Sequence, residues 1–530
     1  MGNPVIVSER APAVSASLYQ DADLNEIQDV ISQAQSAAEY WRYTDPRERA
    51  RRLVKLGRVI DKRREEIVSV MQQEMDKPLM ECWGDELGIV LGALLYCVRN
   101  GPSILVERLP STRAQKKMLP GCRTTLYHEP MGSGIVVLQT PWNVPFQIPI
   151  SDAAEALISG NTVILKPSEF TPQINALVRD VVEDAKLGDV FFQIEGGAKT
   201  SEALLAEVPE QSHVTFTGSP EVAEIIRTKC AQRNLYAHIE GGGLDAMLVF
   251  LDSDSPRSFV ERTVNAAVNG RFRNCGRNCN GVKLVVLVCK DESFANTFTR
   301  MVAERAMRLR KGVDYGRFVM PYRSPRHLVL LKEQLQDAVD RGAEVFTGNH
   351  KDAMEADEYV PPVVLYNVNP SMRVFNEETF GPILPVYRVR SPQEAIGVVN
   401  SSAYKLDAYI FTRNSREAHE MRQRLKVGNV AINNVLIQYA FTQGPFSGAG
   451  GKSGESSRHG PQGILRYTRP QFVVESRLLS ENENHWFPYD GDVELFGTKL
   501  RLSEKLRLSK LVGLKFAVSN FLGKPFRPRA

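Results

Sequence analysis

An α/β fold is predicted, with two lobes that are each built on a parallel sheet covered by helices. Three observations predict it. From residue 134 onward, short β-branched runs alternate with helical stretches, the pattern of a parallel sheet covered on both faces. A second alternating stretch runs from about 283 to 440, enough for a second sheet. The 530 residues exceed one module at about 150 residues per domain. With 43% hydrophobic and 24% charged residues the balance is globular, which excludes a disordered or fibrous chain.

The elements follow in order. Apolar residues at 24, 27, 30, 31, 34, 37, 38 and 41 recur at helical spacing, so 23–43 reads as a helix. Asp45 before Pro46 is a good start for a second helix. Leu53, Leu56, Ile60, Ile67, Val70 and Met71 extend it as one helix through about 75. The runs 134–139 (GIVVLQ), 162–165 (TVIL), 213–217 (HVTFT) and 247–251 (MLVFL) read as strands. Helices are expected between and after them at 147–158, 173–186, 199–206 and 220–230. In the second stretch, 283–288 (KLVVLV), 408–412 (AYIFT) and 429–432 (NVAI) read as strands.

The total charge of +4, from 66 basic and 62 acidic residues, argues against a dedicated nucleic-acid binder. Seven cysteines at irregular spacing fit free thiols in a reducing cytoplasm better than a disulfide framework. Cys275 and Cys279 lack a second Cys/His pair nearby, so no metal site is expected. The start MGNPVIVSERAPAV lacks a basic segment followed by a long apolar one, so no signal peptide is expected. No run approaches about 18 uninterrupted apolar residues, so no membrane span is expected.

Six segments carry residues suited to chemistry. In 139–169 a strand ends at Thr140, Pro141-Trp142-Asn143 turns into a helix, and the next strand ends in Lys166-Pro167-Ser168-Glu169. Loops at the carboxyl ends of parallel strands line a ligand crevice. There an Asn143 amide suits a developing oxyanion, and a Lys/Glu pair suits ribose hydroxyls. An ordinary turn is the plain alternative. Gly218-Ser219, between strand and helix, offers backbone N–H groups to a phosphate, or is simply a tight turn. Glu240 precedes three glycines and suits a general base, or is a solvated residue at a glycine hinge. Cys279 ends the Arg-rich loop GRFRNCGRNCN, where neighbouring cations favour a thiolate; the alternative is an inert packing cysteine. Finally, EETFGP at 377–382 and GPFSGAGGKSG at 444–454 read as loops lining a cleft.

Together these segments resemble the aldehyde dehydrogenase superfamily. PWN, GNTVILKPSE, FTGS, EGGG, FRNCGRNC, EETFGP and PFSGAGGKSG stand in the family's order, over roughly residues 20–480. The resemblance implies a Rossmann-like NAD-binding domain (1–121 and 136–240) and an α/β catalytic domain (241–440). It also implies a small β oligomerisation arm (122–135 and 463–480), followed by a basic C-terminal extension (481–530). Position by position it implies Cys279 as nucleophile, Glu240 as general base and Asn143 as oxyanion donor beside the Cys279 backbone N–H. For the cofactor it implies Lys166 and Glu169 at the adenosine ribose, Gly218 and Ser219 at the pyrophosphate, and Glu378 at the nicotinamide ribose. Phe380 packs beside Glu378, and Thr140, Trp142 and Ser168 complete the set. The implied activity is oxidation of an aldehyde to the acid through a Cys thioester. A carboxylate at Glu169 accepts from a 2′-hydroxyl and repels a 2′-phosphate, so NAD is expected over NADP.

The sequence also departs from the family pattern: Leu244 follows the glycines, Ala246 replaces a frequent Pro, Arg277 replaces the usual Gln and Ala223 replaces a Gly. A weakly catalytic scaffold protein and a CoA-acylating relative remain the alternatives; the latter usually lacks the Glu that is present at 240. Arg273 falls where succinate-semialdehyde enzymes bind a carboxylate, although Ser151 stands at their second Arg and a salt-bridged loop residue is the plain alternative. Phe146, Phe441 and Phe446 are expected to line an aldehyde cleft. The resemblance further implies a homodimer or homotetramer, with 122–130 and 470–478 as pairing strands. The segment 499–530 carries nine Lys and Arg against the single Glu504, so +8 sits there and −4 in the rest of the chain. Such a segment suits an anionic membrane surface, or docking on the protein itself.

Overall fold

The computed structural model describes residues 20–112, 115–116, 119, 121–318, 326–348, 350–478, 486, 493–495 and 498–500. The start of the chain and the basic segment 501–530 thus lie outside the described residues. Two units are distinguished: one spans the described residues to Pro102 and Pro130–Arg469, the other Ser103–Glu129 and the described residues from Pro470.

The large unit holds both lobes. Helix Leu24–Trp41 begins where the Asp23 carboxylate accepts the Glu26 N–H, and it buries Ile27, Ile31, Ala34 and Trp41. The expected second helix is two, Pro46–Lys62 and Arg64–Met75, parted at Arg63 with φ −95° and ψ 10°. No Gly or Pro marks the break. The Arg63 side chain there is engaged by Glu66 and Asp184. The stretch Leu79–Leu105 is long and apolar enough to cross a membrane by length and composition alone, with 33% of its most apolar window buried. A search for uninterrupted apolar runs misses it because Glu81, Asp85, Glu86 and Arg99 interrupt it. Its Cys82–Gly88 segment is wound as a π-helix.

The first lobe's sheet is all parallel, in the order Phe191–Gln193, Thr162–Lys166, Ile135–Gln139, His213–Thr217, Tyr236–Glu240. Its first strand in chain order lies in the middle. The chain winds outward to one edge and then returns to build the other. This leaves a switch point between Ile135–Gln139 and His213–Thr217, the place where such sheets bind ligands. Both of these strands and Thr162–Lys166 are buried along their whole length, as expected of parallel strands covered on both faces.

The second lobe has seven strands in the order Glu344–Val345, Val363–Tyr366, Ile383–Val389, Val282–Val288, Asp245–Phe250, Asp407–Phe411, Asn429–Ile432. Only the Glu344–Val345 edge pairs antiparallel. Successive residues feed opposite faces: Leu248, Val286 and Ile410 enter one core cluster, and Met247, Val249, Val285 and Leu287 the other.

In the small unit, Val106–Leu109, Cys122–Pro130 and Thr468–Ser476 form a three-stranded sheet, with Val106 opposite Tyr127. Phe472, Val473 and Val474 on its last strand are exposed.

Candidate active site

Helix Arg257–Phe272 delivers the chain into a tight loop. Asn274, Cys275 and Gly276 all adopt the left-handed region, at φ 52°, 54° and 73°. Gly and Asn do so readily, whereas Cys275 is strained by about 1 kcal/mol. The loop is held from outside. The Asn274 N–H donates to both oxygens of Glu81, at 3.1 and 3.0 Å. The Asn274 amide donates to the Asn143 carbonyl at 3.0 Å and to Asn278 Oδ1 at 3.1 Å. The fully buried Arg277 donates from Nε to the Asn274 carbonyl at 3.0 Å and lies 5.4 Å from the centre of the Trp142 ring. Cys279 then precedes strand Val282–Val288.

Glu240 ends the first lobe's last strand, and its Oε1 lies 3.6 Å from Cys279 Sγ. At 3% exposure it is not the solvated hinge residue of the plain alternative. The glycines after it are a steric necessity. A Cβ on Gly242 would lie 2.0 Å from Glu378 Oε2, and one on Gly243 would lie 2.2 Å from the Cys279 carbonyl oxygen. Asn143 is on the same cavity, with Nδ2 donating to the Arg277 carbonyl at 2.8 Å. Burial, and then the Glu240 carboxylate, push the Cys279 thiol well above its usual range; Lys283 and Arg458 act in the opposite sense.

The carboxyl edge of the first sheet gathers the expected cofactor residues. Lys166 Nζ and Glu169 Oε2 stand 3.5 Å apart at the end of strand Thr162–Lys166, and Ser168 is buried beside them. The Thr140 hydroxyl is buried without a hydrogen-bond partner among the described residues. Ser219 caps helix Pro220–Gln232 by accepting from Val222 N–H at 3.4 Å, while the Gly218 N–H donates to the Glu240 carbonyl at 3.1 Å. Glu378 accepts from the Gly243 N–H at 3.1 Å and faces Lys283 Nζ at 3.5 Å. Trp142 meets Phe380 edge to face at 5.9 Å. These residues suit a dinucleotide: a hydroxyl with no partner among the described residues, a Lys/Glu pair and a helix start stand at the carboxyl ends of three adjacent parallel strands.

The cavity beside Cys279 has a free volume of about 60 Å³, and Ile89, Val144, Ile148, Leu436 and Tyr439 form its apolar walls. Three expected wall residues do not reach it. Phe146 is wholly buried at the start of helix Gln147–Ile158, Phe446 packs edge to face on Tyr439 at 4.7 Å, and Phe441 is 54% exposed. Arg273 lines the cavity, but its fork holds Asp85 at 2.6 and 2.7 Å. Besides the apolar wall residues and Lys283, the charged Arg458 and Lys77 escaped the sequence. Arg458, just past the last glycine motif, bonds Glu240 Oε2 at 2.8 Å. Lys77 reaches the Asn143 carbonyl at 3.3 Å and pairs with Glu86. Neither carries a local signal, since each is defined only by distant partners.

A cysteine, a buried carboxylate and a carboxamide thus meet on one cavity beside the carboxyl edge of the first lobe's parallel sheet. Residues 7–473 match the family described as the aldehyde dehydrogenase family. The chain is 31% identical over 464 residues to the 4,4′-diapolycopene aldehyde oxidase of a Methylomonas species, covering 87% of this chain and 84% of that one. Among solved structures, a salicylaldehyde dehydrogenase from Pseudomonas putida, in complex with salicylaldehyde, superposes with a TM-score of 0.75 at 26% identity, covering 87% of this chain and 92% of that one. An NADP-dependent glyceraldehyde-3-phosphate dehydrogenase from Bacillus halodurans, in complex with NADP, gives 0.75 at 25%, covering 86% and 92%. The chain belongs to the aldehyde dehydrogenase family.

Proposed function

We propose that the protein oxidises an apolar aldehyde to its carboxylic acid at Cys279, with NAD(P) as cofactor. The observation that carries this reading is the 3.6 Å approach of Glu240 Oε1 to Cys279 Sγ, on the cavity that Asn143 also lines. Glu240 takes the thiol proton, and the sulfur forms a bond to the carbonyl carbon. The oxygen that gains the electron pair is held by the second Asn143 N–H and the Cys279 backbone N–H. Lys166, Glu169, Ser168, Thr140, Gly218, Ser219, Glu378, Trp142 and Phe380 would hold the cofactor, which when bound would accept the hydride from the sulfur-bound carbon, leaving a thioester on Cys279. Once Glu240 has passed the thiol proton to solvent, it removes a proton from water as the water oxygen attacks the thioester, and the sulfur leaves as the thiolate.

Both cationic residues on the cavity, Arg273 and Arg458, are engaged by carboxylates, and with the apolar wall of Ile89, Val144, Ile148 and Leu436 this supports an apolar aldehyde over a semialdehyde acid. NAD is preferred, on the Glu169 carboxylate. A panel of alkyl, aryl and carboxylated aldehydes with each cofactor tests the reading. Turnover of apolar members that C279S abolishes is the expected result, and a preference for the carboxylated members overturns the substrate assignment. The exposed apolar side chains of Thr468–Ser476 further support self-association through this strand.

A further inference from the structure

We propose that Arg458 is the positioning residue of the general base, fixing one Glu240 oxygen so that the other faces the reacting sulfur; this rests on the reading of Cys279 and Glu240 above. Arg458 sits on the two-residue strand Ser457–Arg458, paired with Phe446–Ser447, and its side chain is 2% exposed. Its guanidinium meets acceptors from four different elements. Nη2 bonds Glu240 Oε2 at 2.8 Å and Thr217 Oγ1 at 2.6 Å, and faces Asp152 Oδ2 at 3.4 Å. Nη1 donates to the Tyr439 hydroxyl at 3.0 Å.

The anchor is itself anchored. Asp152 Oδ1 takes Arg466 Nη2 at 3.0 Å, and Arg466 also holds Glu155 at 3.0 Å. The side chains of Glu240, Arg458, Asp152, Arg466 and Glu155, none more than 6% exposed, thus form a row of alternating charge that ends at the proposed base. A guanidinium offers a planar fork that a lysine cannot copy. With Nη2 of Arg458 on Oε2, Glu240 turns Oε1 to Cys279 Sγ, and rotation of the carboxylate would take a partner from a buried cation. Arg458 touches no reacting atom in the proposed chemistry, and its work is done through Glu240.

The test isolates the step in which Glu240 activates water. The purified full-length protein is treated with p-nitrophenyl acetate, which transfers its acetyl group to the Cys279 sulfur and releases p-nitrophenolate. Loss of the acetyl adduct is then followed by intact-protein mass spectrometry across pH. R458M should lose the adduct about tenfold more slowly than the wild type, with the acidic limb of the profile moved to higher pH. R458K should recover part of the rate. In an E240Q background R458M should have no further effect, because the group it positions is gone. R458K, which keeps the buried charge balanced, carries the comparison where R458M fails to fold. Wild-type adduct decay in both Arg458 variants, or equal slowing with and without Glu240, overturns the proposal. Absence of any adduct on Cys279 in the wild type overturns instead the reading of the nucleophile.

Discussion

At the residue scale, Glu240 acts on Cys279 in two opposed ways. As a neighbouring carboxylate it helps raise the thiol's pKa, and in the proposed chemistry it is the base that takes the thiol's proton. E240Q is therefore expected to speed alkylation of the apoenzyme thiol by iodoacetamide at a fixed neutral pH, because removing a negative neighbour lowers the thiol pKa and enlarges the thiolate fraction. The same variant should cut aldehyde turnover by about 10²–10⁴-fold, the usual worth of general-base catalysis. In the wild-type apoenzyme, alkylation should keep rising as pH climbs through the ordinary thiol range without reaching a plateau there. At the cofactor edge, E169Q removes the group that repels a 2′-phosphate; the ratio of kcat/KM for NAD over NADP should fall by about tenfold. The Glu240, Cys279 and Asn143 positions were legible because each stands in a short distinctive motif. Arg458 and Lys77 were not, since an ion pair between residues far apart in sequence leaves no local pattern.

At the element scale, the site depends on segments that brace its loops. The π-helical Cys82–Gly88 stretch, with Glu81 before it, sets carboxylates against Asn274, Arg273 and Lys77. E81Q weakens the acceptor that steadies three consecutive left-handed residues, and kcat should fall while cofactor KM stays near the wild-type value, as measured by steady-state kinetics. G243A is more severe: its Cβ would lie 2.2 Å from the Cys279 carbonyl oxygen, so the nucleophile must move. A displacement of about 1 Å costs about 100-fold in rate. Strands such as Ile135–Gln139 and Val282–Val288 were readable as continuous apolar runs because both faces are covered. The π-helix and the two-residue strands were not, being too short for any periodicity to show.

At the scale of the whole molecule, the two-lobe α/β plan followed from alternation alone, while the order of strands needed the structure, because sequence does not say on which edge a returning chain lands. The exposed apolar row Phe472, Val473 and Val474 belongs to this scale too. F472D with V474D should shift the protein to a smaller species in analytical ultracentrifugation, and an unchanged sedimentation coefficient would discard self-association through that strand. Glu240 is the last residue of the first lobe's sheet, and Cys279 lies just before the second strand of the other lobe, with Gly241-Gly242-Gly243 between the lobes. Half of the acid–base pair is thus inherited with each lobe. A chimaera joining the first lobe of one relative to the second lobe of another would keep both cores intact and still lose its chemistry wherever the parents set their glycine junctions at different angles.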